Sequence, residues 1–355
     1  MNRLAPAFNL LFRSQLGPLV ALIFIVVAFA LADGWLGSGN FLTARNVRVM
    51  TSSTALIAVP ALGMTMIIIA GGIDLSAGTA LTLCGTVLAT SLKFSPVAAG
   101  EPGFASQVAM ALLITAATGC ACGLLNGLLI SGTRVVPFIV TLGTMTIFLG
   151  IGQIIAKEST VYAPPEHLPE WLQNLCYTGP TAAKYGLIPY VPTSALIAVV
   201  FVGLVAALLR YTVFGRNVFA IGSSESTARL CGINVPLTVL AVYSLAGLFV
   251  AMGGLLYFSD VKNGNPSDGM GKELEIIAAV VLGGGSLSGG RGSVIGTLIG
   301  ALIIVVIRTG CTLLQIPNTY THIIIGVIII VAVIVDQLRH GSPEWLFRML
   351  AKSSS

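Results

Sequence analysis

The sequence predicts an all-α, polytopic membrane protein: about ten transmembrane helices in two parallel half-repeats, with interrupted helices. Three observations predict it. Hydrophobic residues make up 55% of the 355 and charged residues only 9%, with a mean hydropathy of +0.96. A soluble globular chain carries roughly 25% charged residues, so most of this chain must be solvated by lipid. Apolar runs of span length follow one another from end to end. Finally, two of these runs break at similar glycine-rich octads, Gly71-Gly72-Ile73-Asp74-Leu75-Ser76-Ala77-Gly78 and Gly283-Gly284-Gly285-Ser286-Leu287-Ser288-Gly289-Gly290. Non-helical backbone at membrane depth survives only when buried in protein or lining a wet cavity. Paired interruptions in the two halves of a chain therefore point to a solute pathway.

Taken in order, the runs are 17–32, 52–70, 75–91, 106–130, 138–156, 193–210, 237–257, 275–288, 293–309 and 322–336. They consume the chain, so 1–355 reads as one transmembrane domain with half-repeats of roughly 40–192 and 237–337. Arg3 and Arg13 ahead of Gly17–Leu31, followed by Ala30-Leu31-Ala32, look like a signal peptide, but the many spans beyond favour an uncleaved first helix. An inside N-terminus assigns ten of the 18 Lys/Arg to the cytoplasm. The short-loop arginines Arg134, Arg210, Arg216 and Arg291 are among them, which suits the positive-inside rule. Both termini are then cytoplasmic. Residues 157–192, punctuated by Pro164, Pro165, Pro169, Pro180, Pro189 and Pro192 and bearing Trp171, Tyr177, Tyr185 and Tyr190, read as an interfacial lid. Residues 258–272 form another outer loop, and 211–236 the longest polar inner stretch.

Several function classes are excluded. The net charge of +5 is scattered, with no basic block for nucleic acid. The six cysteines lack metal-ligand spacing and no span clusters His, Cys or carboxylates, so neither a metal site nor a catalytic residue is expected. The cysteines read as small buried packing residues, although Cys176 and Cys311, in predicted outer loops, leave a disulfide open. Gly285 to Gly290 approaches a phosphate loop, but Arg291 and Gly292 stand where Lys and Ser/Thr are required, so no cofactor or ATP is expected on this chain.

Asp74 is the one carboxylate embedded in an apolar stretch of the first half. It is either a functional group at membrane depth or, the favoured reading, the N-cap of a helix starting near Leu75. Ser286, its counterpart in the second octad, suggests the same capping role. Gly71, Gly72, Gly283, Gly284 and Ser288 complete the two breaks. Thr65, Ser76, Asn126, Thr141, Thr144 and Gln153 are polar within spans, and each is more readily helix–helix glue than a solute contact. None is charged, which suits a neutral hydrogen-bonding solute. Glycines recur every four residues at 119, 123 and 127 and at 292, 296 and 300, a spacing that lets helix backbones approach closely.

The inner stretch carries the most specific pattern. Ser223 or Ser224 caps a short helix over Glu225–Leu230, with Gly232 ending it, and this helix is suited to docking a soluble partner. Phe214-Gly215-Arg216, Ala220-Ile221-Gly222, Ala228-Arg229-Leu230 and Gly232-Ile233-Asn234-Val235 resemble the coupling loop of sugar-type ATP-binding-cassette importer permeases, the family of ribose, xylose and galactofuranose permeases. Gly63-Met64-Thr65, the first octad, Ala278-Ala279-Val280-Val281-Leu282-Gly283-Gly284 and Gly296-Thr297-Leu298-Ile299-Gly300-Ala301-Leu302-Ile303 resemble its other hallmarks. The resemblance covers roughly 40–337. One departure is Ser223-Ser224-Glu225-Ser226, where the family carries a Gly-Gly-Asn-Glu-like run.

The resemblance implies a permease in the bacterial cytoplasmic membrane that moves a neutral sugar or polyol. It implies a second permease copy (a homodimer), a cytoplasmic ATPase that holds the ATP and Mg, and a periplasmic or extracellular sugar-binding protein. Gly215, Arg216, Ser224, Glu225, Ala228, Arg229 and Gly232 would then receive the ATPase stroke. An ion-coupled secondary transporter is the alternative, since broken helices suit it equally.

Overall fold

The computed structural model describes residues 17–37, 39–133, 135–176 and 191–340. Arg3, Arg13, Arg134, Tyr177, Pro180, Tyr185, Pro189, Tyr190 and the chain ends lie outside the described residues. The long helices are α1 (Gly17–Leu36), α2 (Ala44–Ile69), α3 (Ala77–Lys93), α4 (Phe104–Thr133) and α5 (Pro137–Ala156) in the first half. A one-turn α6 (Glu170–Gln173), then α7 (Thr193–Tyr211), α8 (Val213–Ser223) and α9 (Glu225–Leu230) follow. The second half holds α10 (Val235–Val261), α11 (Lys272–Leu282), α12 (Val294–Leu313) and α13 (Asn318–His340). The chain is all-α and polytopic.

Every predicted apolar run falls on a helix. Among the described residues, seven of these helices (α1, α2, α4, α5, α7, α10 and α12) are long and apolar enough to cross a membrane. The expected ten spans are not reached for a simple reason. Three helices fall short: α3 has 17 residues, α11 has 11, and the apolar part of α13 is Asn318–Val331. At 1.5 Å per residue α11 reaches about 16 Å, half of a roughly 30 Å hydrocarbon core.

Central α10 packs against α2, α3 and α4. Small residues make this possible, because helices in lipid associate by close packing rather than by a hydrophobic driving force. A β-carbon at Gly123 would lie 2.1 Å from the Tyr243 carbonyl oxygen, and one at Gly119 2.4 Å from that of Gly247. On α12, β-carbons at Gly296 and Gly300 would each fall 2.0 Å from a carbonyl oxygen of the α11 hairpin partner, Gly283 and Ala279 respectively. The glycine stripes are packing faces. Opposite faces expose Phe24, Leu113, Ile139 and Val199, as expected where the solvent is lipid.

Two smaller expectations change. Cys311 lies inside α12 and not in a loop, and all six cysteines are free, so the disulfide is absent. Cys120 and Cys231 are exposed, unlike the buried majority. In the described part of the proposed lid, Ser259 Oγ donates to the Leu172 carbonyl at 2.6 Å and Val161 pairs with Gly264, so the segment is tied to the far end of α10.

Candidate functional site

Both octads begin with the same piece of backbone. After α2, the Gly71 N–H bonds the Ile68 carbonyl (3.0 Å) and the Gly72 N–H bonds the Ile67 carbonyl (2.9 Å), with Gly71 at φ +85°. After α11, Gly284 bonds Val281 (2.9 Å) and Gly285 bonds Val280 (2.9 Å), with Gly284 at φ +88°. These are matched Schellman caps, which require a left-handed residue and so favour glycine. The match fixes the register: Gly71 corresponds to Gly284, so Asp74 corresponds to Leu287 and not to Ser286. The expected pairing of Asp74 with Ser286 is one residue out.

Neither residue is an N-cap. The residue preceding α3 is Ser76, and α12 is capped by Ser293, whose side chain accepts from the Gly296 N–H at 3.2 Å. Asp74 instead folds the first octad onto its neighbours. Its Oδ1 accepts from the Ser76 N–H (2.8 Å) and hydroxyl (2.6 Å) and, more distantly, from Asn126 Nδ2 (3.5 Å). Asn126 also donates to Ser76 Oγ (2.8 Å) and accepts from Thr144 (2.7 Å), while Thr141 reaches the Ile73 carbonyl (3.2 Å). All of these side chains are buried. This network clamps the octad to α4 and α5 and leaves Asn126 fully partnered. Thr65 Oγ1 lies 2.8 Å from Thr297 Oγ1, joining α2 to α12. Gln153 is exposed and joins none of this. Ser286 Oγ and Ser288 Oγ are 2.9 Å apart, within a turn closed by Ser286 N–H on the Arg291 carbonyl at 3.2 Å.

The two octads meet each other, and α8 lies against both. The Gly290 N–H donates to the Ile69 carbonyl at 2.8 Å. A β-carbon at Gly289 would sit 2.9 Å from Gly71 Cα and 2.7 Å from the Gly222 carbonyl oxygen. One at Gly222 would fall 1.7 Å from the Ile69 oxygen and 2.5 Å from the Gly290 nitrogen. Three segments distant in sequence thus touch backbone to backbone at Gly71, Gly222 and Gly289. The sequence shows each glycine, but nothing in it signals that they share one point.

Beyond this junction, α8 and α9 form the outer surface of the same end. Ser224 caps α9 by accepting from the Thr227 N–H (3.3 Å), and Gly232 turns the chain at φ +80°. Arg216, Glu225, Arg229 and Gly232 are exposed, with Glu225 and Arg229 paired one helical turn apart at 2.5 Å. Two expected surface residues are not there. Gly215 is buried against the Leu209 backbone, and Ala228 is buried with Ile221 and Val235 beneath the helix. They position the surface rather than form it. Leu230, part of the motif but not among the expected contact residues, projects at 89% exposure from the tip of α9.

Two further features escaped sequence reasoning. The Tyr243 hydroxyl is buried beside Gly72 and has no hydrogen-bond partner among the described residues. At the opposite end of α10, Tyr257, Asp260, Lys272, Glu275 and Arg308 surround a cavity of about 160 Å³. The usable signal was there, since Glu275 and Arg308 are charges at the margins of two successive apolar runs.

Residues 46–333 match the family described as branched-chain amino acid transport system / permease component. The chain belongs to that family. The permease is 35% identical to the galactose/methyl galactoside import permease of Escherichia coli K12, over 91% of this chain and 95% of that protein. It is 34% identical to the ribose import permease of Bacillus subtilis 168, over 91% and 92%. With the fructose import permease of Rhizobium meliloti it shares 30%, over 90% and 84%. No solved structure matches it significantly. As a member of this family the permease is a multi-pass membrane protein.

Proposed function

We propose that the chain is the permease subunit of an ATP-driven importer that carries a neutral sugar or polyol across the bacterial cytoplasmic membrane. The observation that carries this reading is the seating of α8–α9 on both octads through Gly222, in a chain whose relatives import galactosides, ribose and fructose. ATP and Mg belong to a separate cytoplasmic ATPase that docks on Arg216, Glu225, Arg229, Leu230 and Gly232. Gly215, Ser224 and Ala228 hold that surface in shape. A sugar-binding protein delivers solute on the opposite, periplasmic or extracellular side, and two permease copies assemble as a homodimer with both chain termini in the cytoplasm. Thr65, Gly71, Gly72, Asp74, Ser76, Asn126, Gly283, Gly284, Ser286 and Ser288 shape the inner part of the pathway, more by fixing backbone than by touching solute.

The docking end and the pathway are mechanically joined in this reading. A push on α9 is transmitted through α8 to Gly222, and from there to both helix reversals at once. Close-packed backbone cannot yield locally, so the reversals move with α8. Purified protein should hydrolyse ATP only when mixed with the partner subunit, and activity from the permease alone would sink the assignment. Arg216→Glu or Glu225→Arg should uncouple uptake while leaving the protein folded, and wild-type uptake by both would remove the docking surface.

A further inference from the structure

The end of the bundle opposite α9 carries charges that the proposed function has not used. At about 1.5 Å per residue, Tyr257 stands roughly 33 Å along α10 from Val235. Here the chain leaves α10, crosses residues 262–271 and re-enters as α11 at Lys272. The re-entry lies deep, because Gly78 at the start of α3 abuts Gly269 and Glu273. The resulting cavity of about 160 Å³ lies between α2, α3, α10, α11 and α12. A neighbouring cavity of about 420 Å³ shares Lys272, Glu275 and Arg308 and adds Asn318, Thr321 and His322 from the α13 side.

The lining is chemically specific. Asp260 lines the first cavity and makes no hydrogen bond to the described residues. The Lys272 ammonium lies 4.3 Å over the Tyr257 ring, and the Tyr257 hydroxyl donates to Asp268 at 3.3 Å. Arg308 on α12 pairs with Glu275 on α11, and both side chains border both cavities. Two carboxylates and two cations around the smaller cavity sum to zero. Asp260 is exposed and Arg308 partly so, and the cavity opens at the outer loop.

We propose that this vestibule is where the solute first meets the permease, a site for a neutral polyhydroxylated molecule of monosaccharide size. Asp260 accepts from solute hydroxyls and Lys272 donates to them. The Arg308–Glu275 pair is the bar between the two cavities, exchanging its mutual contact for hydroxyls as solute passes. Balanced charge is what decides the ligand class. An anion or a cation would find no surplus of opposite charge, whereas a polyol finds donors and acceptors on every side. The smaller cavity holds the volume of about five waters, on the scale of a single sugar ring. The site rests on the import reading above and adds where recognition occurs.

The test uses the complete transporter, with its ATPase and binding protein, in proteoliposomes supplied with labelled D-ribose, D-galactose, D-fructose or L-leucine. Wild type should take up at least one of the sugars with ATP. Asp260→Asn and Lys272→Met should each lower uptake at limiting sugar about tenfold, the effect of losing one charge-assisted hydrogen bond, while ATP hydrolysis by the assembled complex is unchanged. Glu275→Arg should abolish uptake, and adding Arg308→Glu should restore part of it. Both single variants matching a sugar-importing wild type, with no defect in Glu275→Arg, would overturn the vestibule and leave the import reading standing. A wild type that takes up only L-leucine, or nothing with ATP, would overturn the import reading and the vestibule with it.

Discussion

Replacing Gly222 by alanine adds one methyl group at the most crowded backbone position of the docking end. Its carbon would lie 1.7 Å from the Ile69 carbonyl oxygen and 2.5 Å from the Gly290 nitrogen. Ordinary contact begins near 3.4 Å, so α8 must retreat from α2 by about 1.7 Å. Overpacking of this kind costs about 1–3 kcal/mol. If the Gly290–Ile69 hydrogen bond (2.8 Å) opens as well, an unpaired backbone group adds about 1–3 kcal/mol. Because α8 lies at the end of the bundle, it can lift away, and the variant should fold with stability lowered by about 2–6 kcal/mol. What it should lose is transmission. A coupling free energy of about 1–3 kcal/mol corresponds to roughly 5–150-fold, so sugar moved per ATP hydrolysed should fall at least about fivefold. The assay pairs the thermal midpoint in detergent with uptake and hydrolysis in proteoliposomes. Gly143→Ala, on α5 with open space around the new methyl group, is the control and should leave coupling unchanged without lowering the midpoint. A Gly222→Ala protein that melts and couples like wild type would refute the reasoning.

The other predictions follow from single observations. Leu230→Asp, at 89% exposure, should leave the melting midpoint within about 0.5 kcal/mol of wild type while abolishing stimulation of the partner ATPase; unchanged stimulation would exclude Leu230 from the docking surface. Asp74→Asn keeps an acceptor oxygen for Ser76 and Asn126 and should retain uptake, whereas Asp74→Ala strands those donors and should cost about 2–4 kcal/mol. If Asp74→Asn instead folds normally but loses all uptake, the carboxylate charge itself is needed and ion coupling gains the advantage. Gly123→Leu should prevent α4 from seating on α10, giving protein that aggregates on extraction, since even a β-carbon would lie 2.1 Å from the Tyr243 oxygen; a well-folded, monodisperse variant would contradict that packing.

Local chemistry explains which features could be read in advance. The Ser224 cap, the Gly232 stop and the glycine stripes each depend on neighbours within a few residues, so their signals lie along the chain. The register of the octads did not. Two glycine runs of similar composition align equally well in two frames, and only the Schellman hydrogen bonds select the frame that pairs Gly71 with Gly284. Asp74 was misread for a related reason. A carboxylate before an apolar run satisfies the N-cap pattern, but Asp74 accepts from the N–H and hydroxyl of Ser76, the residue that itself precedes α3, with Asn126 on α4 joining at 3.5 Å.

By itself the sequence determined that this chain lives in lipid, forms helices broken at two glycine octads, and carries a short capped helix between α7 and α10. These follow from hydropathy and from short-range backbone chemistry. Tertiary structure alone decided that both octads converge on Gly222, that Ala228 is buried while Leu230 projects, and that charges from α10, α11 and α12 gather around one cavity. Those facts depend on which helix faces lie together, and in a lipid-solvated bundle small residues and close backbone approach set that choice, leaving no periodic mark in the hydropathy.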